Sequence, residues 1–244
     1  MNQASLFLIV FLGTATLGLA AEPTAGAAAE PTAGVAAEPP AEAADSTLGA
    51  QPPEGAIVLL GSSGLGEWVE RDGTTPARWP FADGVATVGR GDILTKRTFG
   101  DFQLHVEFNV PYKPQARGQA RGNSGIYLAG IYELQVLDSY GLTPQSNDCG
   151  AIYGQVAPSV NACKPPLQWQ TFDVTFRKAQ VEDGRVVRKA RVTVVHNGVK
   201  TIDDAEIDPT PGGVDLPAGS NGPILLQDHG NPVEYRNIWI RPLD

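Results

Sequence analysis

Histidine, cysteine and basic charge are scarce in this chain, and each scarcity narrows what it can do. Lys and Arg number 18 against 27 Asp and Glu, giving a net charge of −9 and a pI near 4.8. No basic cluster stands out from that background, which argues against nucleic acid as a partner. An acidic, soluble surface suits a neutral ligand such as a sugar better than an anionic one. There are three histidines, so the choice of an imidazole acid or base is narrow. The two cysteines, Cys149 and Cys163, lack the spacing of a zinc site. No histidine lies near them in sequence, which argues against a catalytic thiol. Long apolar runs are also missing. The one at the start, Leu6 to Leu12, is too short to span a membrane comfortably. No window of a dozen residues carries a 3.6-residue apolar period, so helices are not expected.

What is present sorts the chain into three parts. Residues 2–20, NQASLFLIVFLGTATLGLA, combine a short apolar run with Gly18 and Ala20 at −3 and −1 of a cleavage site. That is the pattern of a signal peptide over residues 1–20, and it predicts export to the periplasm or the medium. Residues 21–50 repeat Glu-Pro every eight residues, at Glu22, Glu30 and Glu38, with no aromatic residue. Such a segment buries too little to offset its ordering entropy and is expected to be a disordered linker. Residues 51–244 are long enough for one domain with a full core. An exported chain meets an oxidising compartment, so Cys149 and Cys163 are expected to form a disulfide. In the chain-entropy picture that bridge would contribute about 3 kcal/mol. Free buried thiols are the alternative.

The domain reads as strands. Phe102, Leu104, Val106, Phe108 and Val110 alternate with polar residues, and Thr171 to Phe176 alternates too. Ala190–His196 and Val199–Ile202 flank Asn197-Gly198, a strong hairpin signal. Pro223–Gln227 and Val233–Ile240 supply the last strand-like runs. Short strands between Gly/Pro-rich turns predict an all-β fold, a sandwich or barrel. The densest chemistry lies in residues 122–154. There Ile126, Leu128, Leu134 and Val136 read as core, while Tyr127, Glu133 and Gln135 fall on the opposite face. An aromatic with polar groups on one sheet face is what a sugar-binding surface needs.

Several segments together carry a resemblance. They are FGDFQLHVEF (99–108), GNSGIYLAGIYELQVLDSYG (122–141), CGAIYGQVAP (149–158), WQTFDV (169–174) and GPILLQDHGNPVEYRNIWIRPL (222–243), with Asn161-Ala162 and Lys164-Pro165-Pro166 between. In this order they resemble the 3-keto-disaccharide hydrolase family, which is similar to concanavalin-type lectins and glucanases. The resemblance implies an all-β, two-sheet jelly-roll sandwich with a ligand groove. It also implies a disaccharide or glycoside substrate already oxidised at C3. A C3 ketone acidifies the C2 proton. A base can remove it, the C1 oxygen leaves, and water adds back. No cofactor is required by the sequence, though a divalent cation could polarise the ketone. More loosely, laminarinase-like glucanases carry carboxylates at i, i+2 and i+5 on one strand. Glu133, Gln135 and Asp138 have that spacing, but Gln135 breaks the ordinary carboxylate set.

The catalytic candidates are Glu133, Asp138 and His229. Each has a structural alternative: a salt bridge from Glu133 to Arg236, a turn-forming Asp138, a satisfied loop histidine at 229. Asn123, Gln135, Asn161 and Gln227 offer amides for sugar hydroxyls, and Tyr127 a flat face. His105 and Glu107 line either the groove or merely the wet side of their strand. His196 is expected at the surface. A non-catalytic carbohydrate-binding module is the rival to an enzyme, and a surface-assembly module a weaker third reading.

Overall fold

A computed structural model of the chain describes residues 47–243. The expected signal peptide and residues 21–46 of the expected linker lie outside the described residues. Thr47–Ala50, assigned to the linker on composition, instead packs on the domain. Gly49 N–H donates to Glu107 Oε1 at 2.6 Å, and Asn237 Nδ2 donates to the Ala50 carbonyl at 3.0 Å.

Fifteen strands follow in chain order. They are β1 (Ile57–Leu60), β2 (Trp68–Glu70), β3 (Phe81–Ala82), β4 (Val85–Thr87), β5 (Ile93–Thr95), β6 (Phe102–Asn109), β7 (Ser124–Leu128) and β8 (Tyr132–Val136). Then come β9 (Gln170–Arg177), β10 (Gln180–Glu182), β11 (Arg185–Arg188), β12 (Ala190–His196), β13 (Val199–Ile207), β14 (Leu225–Leu226) and β15 (Glu234–Pro242). A single 3-10 turn at Gly118–Ala120 is the one helical element among the described residues. One sheet runs β13-β12-β9-β6-β15-β4-β3, with β1 also pairing β15. The other runs β2-β5-β14-β7-β8, and β10-β11 form a separate hairpin. Among the described residues, no helix is long and apolar enough to cross a membrane.

Period-two patterning builds the core. Phe102, Leu104, Val106 and Phe108 of β6 and Phe172, Val174 and Phe176 of β9 point at the smaller sheet. There they meet Ile126, Leu128, Leu134 and Val136 in one buried cluster. Asn197 and Gly198 have φ of 50° and 83°, the left-handed pair that a tight hairpin turn needs, and they join β12 to β13. The architecture is the all-β sandwich of the jelly-roll type that the sequence predicts.

The outer face of the smaller sheet carries a second, small cluster of Val69, Leu94, Leu225 and Tyr127. These four are cross-strand neighbours in a row that continues from Tyr127 to Glu133. The row is apolar at one end and ends on a carboxyl group.

Candidate active site

Glu133 and Gln135 alternate with Leu134 on β8, so both project from the outer face while Leu134 enters the core. Next to them on β7, Gly125 pairs with Gln135. A Cβ at Gly125 would lie 2.6 Å from Glu133 Oε1 and 3.2 Å from Gln227 Oε1. The absent side chain is what lets the two oxygens settle onto the sheet. The result is a cavity of about 320 Å³ lined by Asn123, Tyr127, Glu133, Gln135, Gln227 and His229, together with Gln119, Tyr153, Pro211 and Gly212.

Glu133 is buried and, among the described residues, its side chain has one hydrogen-bond partner. Tyr127 Oη lies 3.1 Å from its Oε2. Burial pushes the Glu133 carboxyl up to about 7. The Tyr127 hydrogen bond pulls the other way, and the nearby Asp92 charge adds to the rise. The expected alternative, a salt bridge to Arg236, is not formed. Arg236 pairs with Glu107 at 2.7 Å and stacks on Trp169, with its guanidinium carbon 4.0 Å from the ring centroid. A buried carboxyl without a cation, poised near neutrality, is suited to proton transfer.

The amides around it are laced together. Gln135 Nε2 donates to Gln119 Oε1 at 2.9 Å and to Asn123 Oδ1 at 3.1 Å. Gln227 Nε2 donates to Tyr127 Oη at 3.3 Å. These bonds leave the carbonyl oxygens of Gln135 and Gln227 buried and without a partner. Two open acceptors in one cavity suit hydroxyl donors of a ligand. His229 stands exposed at the mouth. Asp228 turns away from it, accepting from Gly91 N and Gly230 N at 2.8 Å each. The turn at Gly230, with φ of 70°, makes that divergence attainable.

Four other expected site residues fall elsewhere. Asp138 is buried against Arg121, with Nη2 to Oδ2 at 2.9 Å, and accepts from Tyr140 N at 3.3 Å. Pairing and turn formation thus occupy it, and it does not line the cavity. Asn161 donates to the carbonyls of Ser139 and Leu142, each at 2.7 Å, and accepts from Cys163 N at 3.0 Å. Every polar atom of its side chain laces loops. His105 and Glu107 lie on the outer face of the larger sheet, across the core from the cavity. There His105 Nδ1 meets Asp173 at 2.7 Å. His196, expected at the surface, is fully buried between Phe108 and Phe172, and burial pushes its imidazole down to about 3. Cys149 and Cys163 are buried free thiols, which corrects the expected disulfide.

Gln119, Tyr153, Pro211 and Gly212 escaped the sequence reading because loops deliver them. Gln119 sits in Arg117-Gly118-Gln119, in a basic loop that reads as solvated. Tyr153 reaches the rim because residues 150–153 bond to β8, with Tyr153 N to Glu133 O at 3.1 Å. Neither shows a periodicity. The cavity presents one free carboxyl group among amides and tyrosines. The one group of three metal-ligating side chains among the described residues lies outside it. The cavity thus offers a cation a single carboxylate, and no step of the proposed chemistry is routed through one.

Fold and cavity together define a class: a β-sandwich that holds a buried carboxyl of raised pKa among amides and tyrosines on one sheet face. The comparisons narrow it. The model of the 3-keto-alpha-glucoside-1,2-lyase-like domain family matches residues 55–241, and the chain belongs to that family. A candidate glycosyl hydrolase from Parabacteroides distasonis ATCC 8503 is 39% identical, covers 78% of this chain and 85% of its own, and superposes with a TM-score of 0.72. A second candidate glycosyl hydrolase from the same organism is 24% identical over 77% of this chain and 99% of its own, with a TM-score of 0.55. That second likeness speaks for the fold alone. No curated protein matches the chain significantly. The domain is glycosyl-hydrolase-like.

Proposed function

We propose that this chain cleaves glycosides whose glucose unit is already a 3-ketone, by elimination across C1 and C2 followed by hydration. The observation that carries the reading is Glu133: buried, without a cation, and held near neutrality. Ionised Glu133 takes the C2 proton, and the electron pair delocalises into the C3 ketone as an enolate. The enolate then expels the C1 oxygen, which takes a proton from His229 at the cavity mouth, leaving a C1=C2 double bond conjugated with the ketone. Water adds at C1 and gives its proton to His229, and Glu133 returns its proton to C2. The sum is hydrolysis without an oxocarbenium ion or a second carboxylate, which agrees with Gln135 standing where a glycosidase would need an acid. The open carbonyls of Gln135 and Gln227 accept sugar hydroxyls. The leader-like pattern of residues 2–20 supports action outside the cytoplasm.

The test is product release from a 3-keto-disaccharide. Wild type should release 3-keto-glucose, and Glu133→Gln should lose about 10²- to 10⁴-fold in rate while still binding substrate. The same open acceptors favour a second reading, a sugar-binding module without chemistry. Binding of unoxidised glycans with no turnover of the keto-sugar would establish that reading in place of the first.

A further inference from the structure

The β8–β9 connection meets the end of a more distant strand in the interior behind β8. Cys149 and Cys163 both lie in that connection, and His196 ends β12. Two sulfurs and one imidazole nitrogen lie within 4.8 Å of one another, and all three side chains are buried.

The orientation of His196 is set from outside the cluster. Its Nε2 lies 3.0 Å from Gln170 Oε1. That oxygen is fixed as an acceptor because the Lys164 backbone N–H also donates to it, at 2.9 Å. Nε2 therefore carries the hydrogen, and Nδ1 keeps its lone pair. Nδ1 faces Gly150, beside Cys149: a Cβ there would lie 3.5 Å from it. Metal-bound histidines are held in this way, the second nitrogen donating to a neighbouring carbonyl. The thiols are fixed too. The backbone N–H of Cys149 donates to Ser139 Oγ at 3.0 Å and that of Cys163 to Asn161 Oδ1 at 3.0 Å.

We propose that Cys149, Cys163 and His196 form a structural site for a soft divalent cation, Zn²⁺, bound by two thiolates and Nδ1. On binding, both thiols release their protons to solvent and no electron is transferred. Two thiolates cancel the charge of the ion, so the complex is neutral overall and suits an interior that would penalise a bare charge. Ligand atoms around a tetrahedral zinc stand roughly 3.5–4 Å apart, so closing the cluster needs side-chain shifts of about 1 Å. The sequence hides the site because its histidine lies on a distant strand, outside any short ligand motif. The ion does not touch the cavity. It staples the loop whose residues bond to the strand carrying the cavity's carboxyl: Gly150 N to Gln135 O and Gln135 N to Ala151 O, each at 2.9 Å.

The experiment uses the full chain, purified without a metal-affinity step and dialysed against a weak chelator. Elemental analysis should find about one zinc per chain, with both thiols titratable after unfolding. Replacement of the zinc by Co²⁺ in wild type should give thiolate-to-cobalt charge-transfer absorption, which needs no variant that folds poorly. Cys163→Ser and His196→Gln should each lose the metal. Absence of metal with two free thiols overturns the proposal. So does an intact mass two hydrogens lighter, which would mean that the same sulfurs are bridged.

Discussion

At the scale of single residues, one hydroxyl proton governs the cavity. Tyr127 Oη lies 2.9 Å from the Pro211 carbonyl and 3.1 Å from Glu133 Oε2, and it has one proton to give. When it donates to Glu133 it stabilises the carboxylate. When it donates to Pro211, the contact with Glu133 is favourable only if Glu133 carries the proton. The acid limb of the rate should therefore follow ionised Glu133, with the rate falling below a limb near pH 7, while the need for a protonated His229 limits the rate on the alkaline side. Tyr127→Phe removes the interaction that lowers the Glu133 pKa, so the limb should move to higher pH. A pH–rate profile of the variant checks this, and an unmoved or lowered limb refutes it. Tyr127, Glu133 and Gln135 were legible in the sequence because a strict period of two separates them from Leu128, Leu134 and Val136. The same logic left His105 and Glu107 undecided between the groove and the other side of the sandwich. Alternation tells which residues leave the core, but it does not tell which sheet they leave from.

At the scale of elements, the cavity depends on two loops that sequence patterning leaves undescribed. Arg71 follows β2 and ties them together. Its guanidinium pairs with Asp92 and donates to the Gly212 carbonyl at 3.0 Å and to the Gly213 carbonyl. Asp92 in turn accepts from Asp228 N at 2.9 Å, next to His229. One fork thus fixes both the 211–213 rim and the 227–230 turn. Gly213 also sits where a Cβ would meet the Gly130 carbonyl at 2.4 Å, so the rim packs directly on the β7–β8 turn. Arg71→Ala should lower kcat/KM about tenfold to a hundredfold through misplacement of rim groups. The side chain is half exposed, so unfolding free energy should change by less than about 1 kcal/mol. Arg71→Lys should rescue little, because a point charge cannot span two carbonyls and a carboxylate. Urea unfolding beside steady-state kinetics separates the two effects. A loss of stability matching the loss of rate would make Arg71 a fold residue instead. In sequence Arg71 belongs to Glu70-Arg71-Asp72, an ordinary exposed charge run. Its role follows from loop closure over more than a hundred residues, which no local pattern encodes. The long strands β6, β9 and β12 were legible for the opposite reason, since core-facing residues alternate along each, and the Asn197-Gly198 turn marked the start of β13. The two- and three-residue strands β2 to β5 are too short to show a period.

At the scale of the whole molecule, the face opposite the cavity anchors the first described residues. Glu107 is 1% exposed and gathers His105, Asn237, Gly49 N and Arg236. Burial works against its ionisation, yet those hydrogen bonds win and hold the carboxyl at about 2, below its ordinary 4.5. His105 shifts oppositely: burial lowers its pKa, but Asp173 and Glu107 more than restore it. The stabilisation from His105 is full below its unfolded pKa and fades as pH rises through the folded one. For Glu107 the folded pKa is the lower, so its stabilisation is complete above pH 4.5 and disappears as pH falls towards 2. A shift of that size corresponds to about 3 kcal/mol. Glu107→Gln should therefore be destabilised by about that much at neutral pH, with Arg236 and His105 left facing a neutral amide. The gap to wild type should close as the pH falls from 4.5 to 2, where wild type has itself protonated Glu107. Urea unfolding of both proteins across that window reads the difference directly. A gap that stays constant would mean that Glu107 contributes packing and hydrogen-bond geometry rather than charge. A gap that closes would identify this ion cluster, on the face away from the chemistry, as the group that sets the acid limit of the fold.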